Sequence, residues 1–242
     1  MIHFHGTPLS GSHSIAARVL LSRFAFVSYA DQTQFELVKE HCSGYALDCG
    51  AFSFWKRGIE IDWELYRSWV LSNYQHPGYC FSICPDIIGG DEKDNDELLK
   101  EYPLPEGVPV FHQGESLSRL EKLMKSYPRI ALGSIEKFLP SDTFYEWMNE
   151  CMRILCDKDG NPRVRIHGLR MLNPEIFQKY PLSSADSTNI AQNYNNGNRW
   201  GGTYNPVSGD MRALVLRDRI EAFQSAPCFI PPDIEQLSFF ST

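Results

Sequence analysis

No apolar stretch of the 242-residue chain reaches the roughly 18–20 residues that a helix needs to span a bilayer. A membrane anchor is therefore not expected. The opening residues, MIHFHGTPLSGSH, lack the basic start and apolar centre of a secretory signal, so the expectation is a cytoplasmic protein. No Cys-x-x-Cys or Cys-x-Cys occurs among the seven cysteines. That spacing argues against a structural zinc site, and the odd count argues for free thiols over a disulfide framework. Neither GxGxxG after the first strand-like run nor GxxxxGK[ST] occurs, which weakens the nucleotide-binding versions of an open α/β sheet. An excess of positive charge is also missing, since the formal net charge is −7. A protein that held nucleic acid through phosphates alone would normally be basic.

What is present is ordinary globular composition, with 43 % hydrophobic and 22 % charged residues, which excludes disordered, collagen-like and coiled-coil chains. A chain of this size buries roughly 70–75 % of its unfolded surface and needs no covalent staple. The charge is unevenly spread. Residues 1–150 carry 13 Lys/Arg against 21 Asp/Glu, while residues 151–242 carry 10 against 9. Contact with a polyanion is therefore expected in the C-terminal third.

Short β-rich runs alternate with amphipathic stretches along the whole chain. The runs are 2–7, 24–30, 44–52, 79–86, 108–114, 129–134, 163–171 and 182–188. The helix-like stretches are 13–23, 32–41, 62–75, 94–102, 116–127, 141–157, 174–180 and 209–225. Ser116, Ser141–Asp142 and Asn173–Pro174 read as N-caps. Strands that alternate with helices pair in parallel, because each parallel pair needs a crossover. Eight such units predict an α/β fold, a single (β/α)8 TIM-type barrel over 1–242 with a tail from about 226. A doubly wound open sheet is the competing architecture.

In such a barrel the active site lies at the C-terminal strand ends. Polar groups gather there: Asp48 with Gly50 and Phe52, Asp86, His112-Gln113-Gly114, Gly133-Ser134, His167 and Asp186. One such aspartate reads equally well as a loop solvator or cap, but three on one rim point to acid and nucleophile roles. His3 and His5 form a His-x-His on the first run. Together with His112 and the aspartates they support a competing metal-dependent hydrolase. Lys56–Arg57 and the stretch 193–202, with Arg199 and Trp200, read either as ordinary solvated loops or as contacts to phosphate and base.

The ordered motif set resembles the tRNA-guanine transglycosylase superfamily, and most of all its short branch, the 7-deazaguanine DNA transglycosylases of phages and bacterial modification islands. The family's Asp-Ser-Gly-Gly-aromatic signature is similar to Asp48-Cys49-Gly50-Ala51-Phe52, with Cys for Ser and Ala for the second Gly. The resemblance implies a barrel without the C-terminal zinc module and without a cofactor or bound metal. It implies Asp186 as nucleophile and Asp48 as general acid/base. It places Asp86, Gln113, Gly114, Gly133 and Ser134 on the base edge, with Gly50, Phe52 and His167 around the ring. Exchange of guanine in DNA for a preQ0-like 7-deazaguanine is the implied reaction, with tRNA as the alternative substrate. The implied setting is a cytoplasm, including a phage host's. A homodimer, a partner protein and a non-catalytic accessory subunit stay open as assemblies or roles.

Overall fold

The computed structural model describes residues 1–134, 141–193 and 206–232. Its strands are β1 (Ile2–Thr7), β2 (Phe24–Ser28), β3 (Gly44–Asp48), β4 (Tyr79–Ile83), β5 (Gly107–Val108), β6 (Val110–His112), β7 (Arg129–Gly133), β8 (Arg165–Gly168) and β9 (Ser184–Ser187). Its helices are α1 (His13–Leu20), α2 (Phe35–His41), α3 (Ala51–Arg57), α4 (Trp63–Asn73), α5 (Glu92–Glu101), α6 (Leu117–Ser126), α7 (Asp142–Leu155), α8 (Pro174–Phe177), α9 (Asn189–Asn193) and α10 (Gly209–Glu221).

All strand pairs are parallel, in the order β5-β4-β3-β2-β1-β9-β8-β7-β6. β1 pairs with both β2 and β9, so the two ends of the chain meet in one sheet. β5 and β6 are one strand interrupted at Pro109, which has no N–H to give the ladder. Its neighbours still bond across the gap, Cys84 N to Val108 O at 2.9 Å and Ala131 N to Pro109 O at 2.9 Å. Counted this way the sheet has eight strands and closes, which is the predicted (β/α)8 barrel. The segment from 226 is not loose at its start. Ala226 N bonds Phe177 O at 3.2 Å and Phe229 N bonds Gly160 O at 2.8 Å.

Local signals explain the helix starts. Ser116, Ser141 and Asn173 each accept a backbone N–H of the first turn, and Pro174 follows Asn173 directly. α3 was not foreseen, because Ala51–Arg57 continues a run that reads as strand. Gly50 causes the break: its φ of 76° is left-handed, and a Cβ there would meet Ala30 at 3.0 Å. Among the described residues no helix is long and apolar enough to cross a membrane.

The barrel interior is layered. Phe4, Phe26, Phe81 and His167 interlock in its middle, with ring centroids 5.2–6.4 Å apart. Outward residues such as Ile130, Leu132 and Ile166 pack with Leu120, Met148 and Met152 of the helical layer. The middle layer is the floor of the C-terminal mouth, and Phe4 touches the other three rings. Phe4→Ala should cost about 3–5 kcal/mol in urea unfolding. A loss below about 1 kcal/mol would mean that this aromatic layer does not hold the barrel closed.

Candidate active site at the barrel mouth

Asp48 ends β3 and Asp186 lies in β9, with β1 and β2 between them around the barrel. The turn at Gly50 returns its N–H to Asp48 Oδ2 at 3.1 Å. Burial pushes the Asp48 carboxyl up to about 7, and the next largest cause is the charge of Asp186, with Asp86 adding to it. The Gly50 N–H and the Ser28 hydroxyl, from the end of β2, pull the other way. Like charges that share a low-dielectric site favour keeping one proton between them. The three aspartates therefore do converge electrostatically on one mouth.

Asp186 is buried and held from two sides. The Arg170 backbone N–H donates to its Oδ1 at 2.9 Å. His167 Nε2 stands 3.3 Å from the same oxygen, at an angle short of a hydrogen bond. His167 Nδ1 lies 2.8 Å from the Ser184 hydroxyl. With that hydroxyl donating to Nδ1, the proton of the ring sits on Nε2 and faces Asp186. Burial lowers the His167 pKa, and Asp186 only partly offsets that. The ring is wholly buried, with Phe26 stacked on it and Phe4 and Phe81 at its edges. It has no open face for a ligand ring. The expected stacking role of His167 is replaced by one of positioning Asp186 from below.

Asp86 is buried after β4 and accepts from His112 Nε2 at 2.6 Å. Burial alone would lower the His112 pKa, but the hydrogen bond and charge of Asp86 raise it. Gly133 makes room for this ring, since a Cβ there would lie 3.3 Å from His112 Nδ1. Behind it runs a polar chain. Glu115 Oε2 accepts from the His112 N–H at 2.9 Å and from Arg119 Nη1 at 2.6 Å. Arg119, buried on the inner face of α6, also bonds Val110 O at 2.9 Å and Asp96 Oδ1 at 2.8 Å. Beside it, Ser134 Oγ donates to Gln113 Oε1 at 2.7 Å and Gln113 N bonds Gly133 O at 3.1 Å. Gly114 forms the turn that follows, at φ 100°. Gln113, Gly133 and Ser134 thus form one unit adjoining the His112–Asp86 pair.

Phe52 lies in the first turn of α3, and its ring is covered by the Arg170 guanidinium at 4.3 Å. Arg170 escaped the sequence reading, although it lies two residues beyond Gly168. Its φ of 60° is unusual for a residue with a Cβ, and its N–H is the one that reaches Asp186. Lys56 and Arg57 are exposed at the far end of α3, beside Trp55, which is 58 % exposed. Arg199 and Trp200 lie outside the described residues.

The histidine-based metal centre does not form. His3 and His5 alternate with inward-facing Phe4 and therefore leave the barrel on its outer side. His3 Nε2 bonds Phe223 O at 3.0 Å, and His5 Nε2 bonds Glu221 Oε1 at 2.9 Å. Only His112 of the three reaches the mouth, so the metal-hydrolase alternative loses its ligands. Among the described residues no group of three His, Cys, Asp or Glu is arranged to hold a metal ion.

No protein-family model matches the chain, and no curated protein does. Solved structures do. A mutant tryptophan synthase alpha-subunit from the hyperthermophile Pyrococcus furiosus is 13 % identical, with a TM-score of 0.54 over 91 % of this chain and 95 % of that one. A chain of the tryptophan synthase complex from Pyrococcus furiosus is 11 % identical, with a TM-score of 0.55 over 92 % of this chain and 98 % of that one. At such identity the likeness carries the barrel fold alone.

The Asp48 coupling gives a pH signature. An unfolded carboxyl ionises near 3.8 and the folded Asp48 near 7. Between those values the folded state keeps a proton that the unfolded state has lost, so stability falls as pH rises through the window. Asp48→Asn should flatten that fall and leave the variant more stable than the parent at alkaline pH. Asp186→Asn should lower the Asp48 midpoint measured by carboxylate NMR. An Asp48 that titrates like an exposed aspartate in the parent would remove the coupling.

Proposed function

We propose that the chain is a pentosyltransferase that exchanges guanine in DNA for a preQ0-like 7-deazaguanine base through a covalent Asp186–glycosyl intermediate. The observation that carries this reading is the unequal pair of carboxylates: Asp48 is poised to hold or release a proton near 7, with Asp186 as the strongest charge acting on it. Acid and nucleophile roles separate when two carboxyl groups occupy such different surroundings.

The chemistry follows from those positions. The Asp186 carboxylate attacks C1′ of the target nucleoside. The C1′–N9 bond breaks, its electron pair passes to the departing guanine, and Asp48 supplies the proton that guanine takes. The incoming base then gives its N9 proton to Asp48. N9 attacks C1′ and expels Asp186. Covalent catalysis divides one hard displacement into two easier ones. The Arg170 N–H fixes the attacking carboxylate, with His167 3.3 Å beneath it. Asp86 and Gln113 read the base edge, held by His112 and Ser134. Phe52 offers the ring face. The base must leave the helical stack to reach this depth.

DNA is preferred over tRNA because the ordered motifs resemble the DNA-modifying branch most. Lys56, Arg57, Arg199 and Trp200 are the contacts expected along the strand. A cytoplasmic setting, cellular or in a phage host, and a homodimer or partner protein that adds affinity to this acidic chain fit the same reading.

The test is incorporation of labelled 7-deazaguanine into guanine-containing DNA, with unmodified tRNA as competitor. The expected outcome is label in DNA, a denaturation-resistant protein–DNA adduct, and loss of both in Asp186→Asn. Asp48→Asn should slow exchange by about 10²–10⁴-fold, the usual contribution of a general acid/base. Incorporation that persists in Asp186→Asn would remove the nucleophile. Label found only in tRNA would reassign the substrate. A covalent adduct would exclude a non-catalytic accessory subunit, and a protein that forms none and incorporates nothing would overturn the exchange reading.

A further inference from the structure

The N-terminal face of the barrel, opposite the aspartates, carries a groove of about 580 Å³ whose lining includes Arg163, Arg165, Leu182, Ser183, Ser225 and Pro227. Arg165 opens β8 and stands in register with Arg129, which opens β7. Like charges directly opposite on paired strands repel one another. Arg129 is half-buried, with its guanidinium 4.4 Å over the Phe81 ring. Burial, and after it the Arg165 charge, weaken its hold on its proton.

A chain with 30 acidic residues and net charge −7 has carboxylates to spare for such a cluster. Yet among the described residues no ion pair joins Arg129, Arg163 or Arg165 to any of them. Glu106 acts on Arg129, and Asp157 on Arg163, only from beyond ion-pair range. Two other arginines show what a match looks like. Arg23 meets Glu221 at 2.7 Å, and Arg119 meets Asp96 at 2.8 Å and Glu115 at 2.6 Å. The uncompensated cluster borders the groove.

We propose that this groove binds a small organic phosphate, with the phosphate between Arg163 and Arg165 and the organic body on Leu182 and Pro227. Planar guanidinium forks match phosphate oxygens in pairs. Two arginines at the rim and a third behind favour a dianion over a monocarboxylate, which would leave most of the charge unmatched. The Ser225 hydroxyl can add a donor. Ser183 cannot, because its Oγ already donates to Ile166 O at 2.8 Å. The volume lies within the range usual for small-molecule sites, roughly 300–1,000 Å³.

The test uses the full chain and two probes, inorganic phosphate and phenyl phosphate, titrated at constant ionic strength against thermal unfolding. The expected result is a saturable rise in midpoint, with phenyl phosphate saturating at the lower concentration. Arg165→Gln and Arg163→Gln should each raise the half-saturating concentration at least about tenfold. Lys93→Gln, in the first turn of α5, should leave it unchanged. In phosphate-free buffer Arg165→Gln should unfold no earlier than the parent, because it removes a repulsion. Equal phosphate responses in the parent and Arg165→Gln would mark a general ion effect and overturn the site. So would a response to heparin with none to either phosphate. None of these readings involves Asp48 or Asp186, so the groove stands or falls separately from glycosyl exchange.

Discussion

Repulsion between Asp48 and Asp186 is the constraint on which the mouth is built. Two carboxylates on flexible loops would rotate away from each other into water. Here one ends β3 and the other lies within β9, and strands of a closed barrel cannot separate. The repulsion is answered locally instead. Asp186 receives the Arg170 N–H, and Asp48 receives the Gly50 N–H. Burial first, and the remaining repulsion after it, raise the proton affinity of Asp48. Fixed positions and unequal support turn one pair of identical groups into two chemically different ones.

The layers below and beside the pair serve the same end. The interlocked rings of Phe4, Phe26 and Phe81 keep water from beneath the aspartates, and the one polar member of that layer, His167, faces Asp186. On the other side Asp86 is fixed through His112, Glu115 and Arg119. The last of these is an arginine buried on α6 whose donors meet two carboxylates and a carbonyl. Such a chain is costly if broken, because a missing partner leaves a buried charge behind. On the proposed reading Asp86 would need this rigidity to read a base edge, since a drift of about 1 Å is enough to lose a well-aligned contact.

The barrel was legible because its signal is collective. Eight alternations of run and amphipathic stretch survive errors at any one element, and Ser116, Ser141 and Asn173 mark helix starts by local chemistry. The aspartates were legible because strand ends in a barrel face one mouth. What escaped was whatever depends on φ or on long-range packing. Gly50 turns the chain into α3 inside an apolar run. The inward or outward sense of His3 and His5 depends on which parity Phe4 takes, and that is set by the aromatic layer as a whole. Arg119 sits among leucines on one helix face, which marks a buried arginine without naming its partners. Arg170 gives no signal at all, since neither its left-handed backbone nor its reach to Phe52 is written in neighbouring residues.

Arg170 also bears on how a base would enter. On the proposed reading Phe52 supplies a stacking face, yet the guanidinium already lies 4.3 Å over that ring. An exposed cation–π contact is worth about 0.5–1 kcal/mol, whereas stacking of a base on an aromatic side chain is worth about 1–3 kcal/mol. On that reading a purine competes with the guanidinium for the same ring face. The backbone of Arg170 need not move with its side chain, because the bond to Asp186 is made by the main-chain N–H and does not depend on the rotamer. The ring face is covered by Arg170, while Asp186 keeps the Arg170 N–H whatever the side chain does. On the proposed reading exchange would need this combination, since the pocket would have to empty and refill between two half-reactions without loosening the carboxylate.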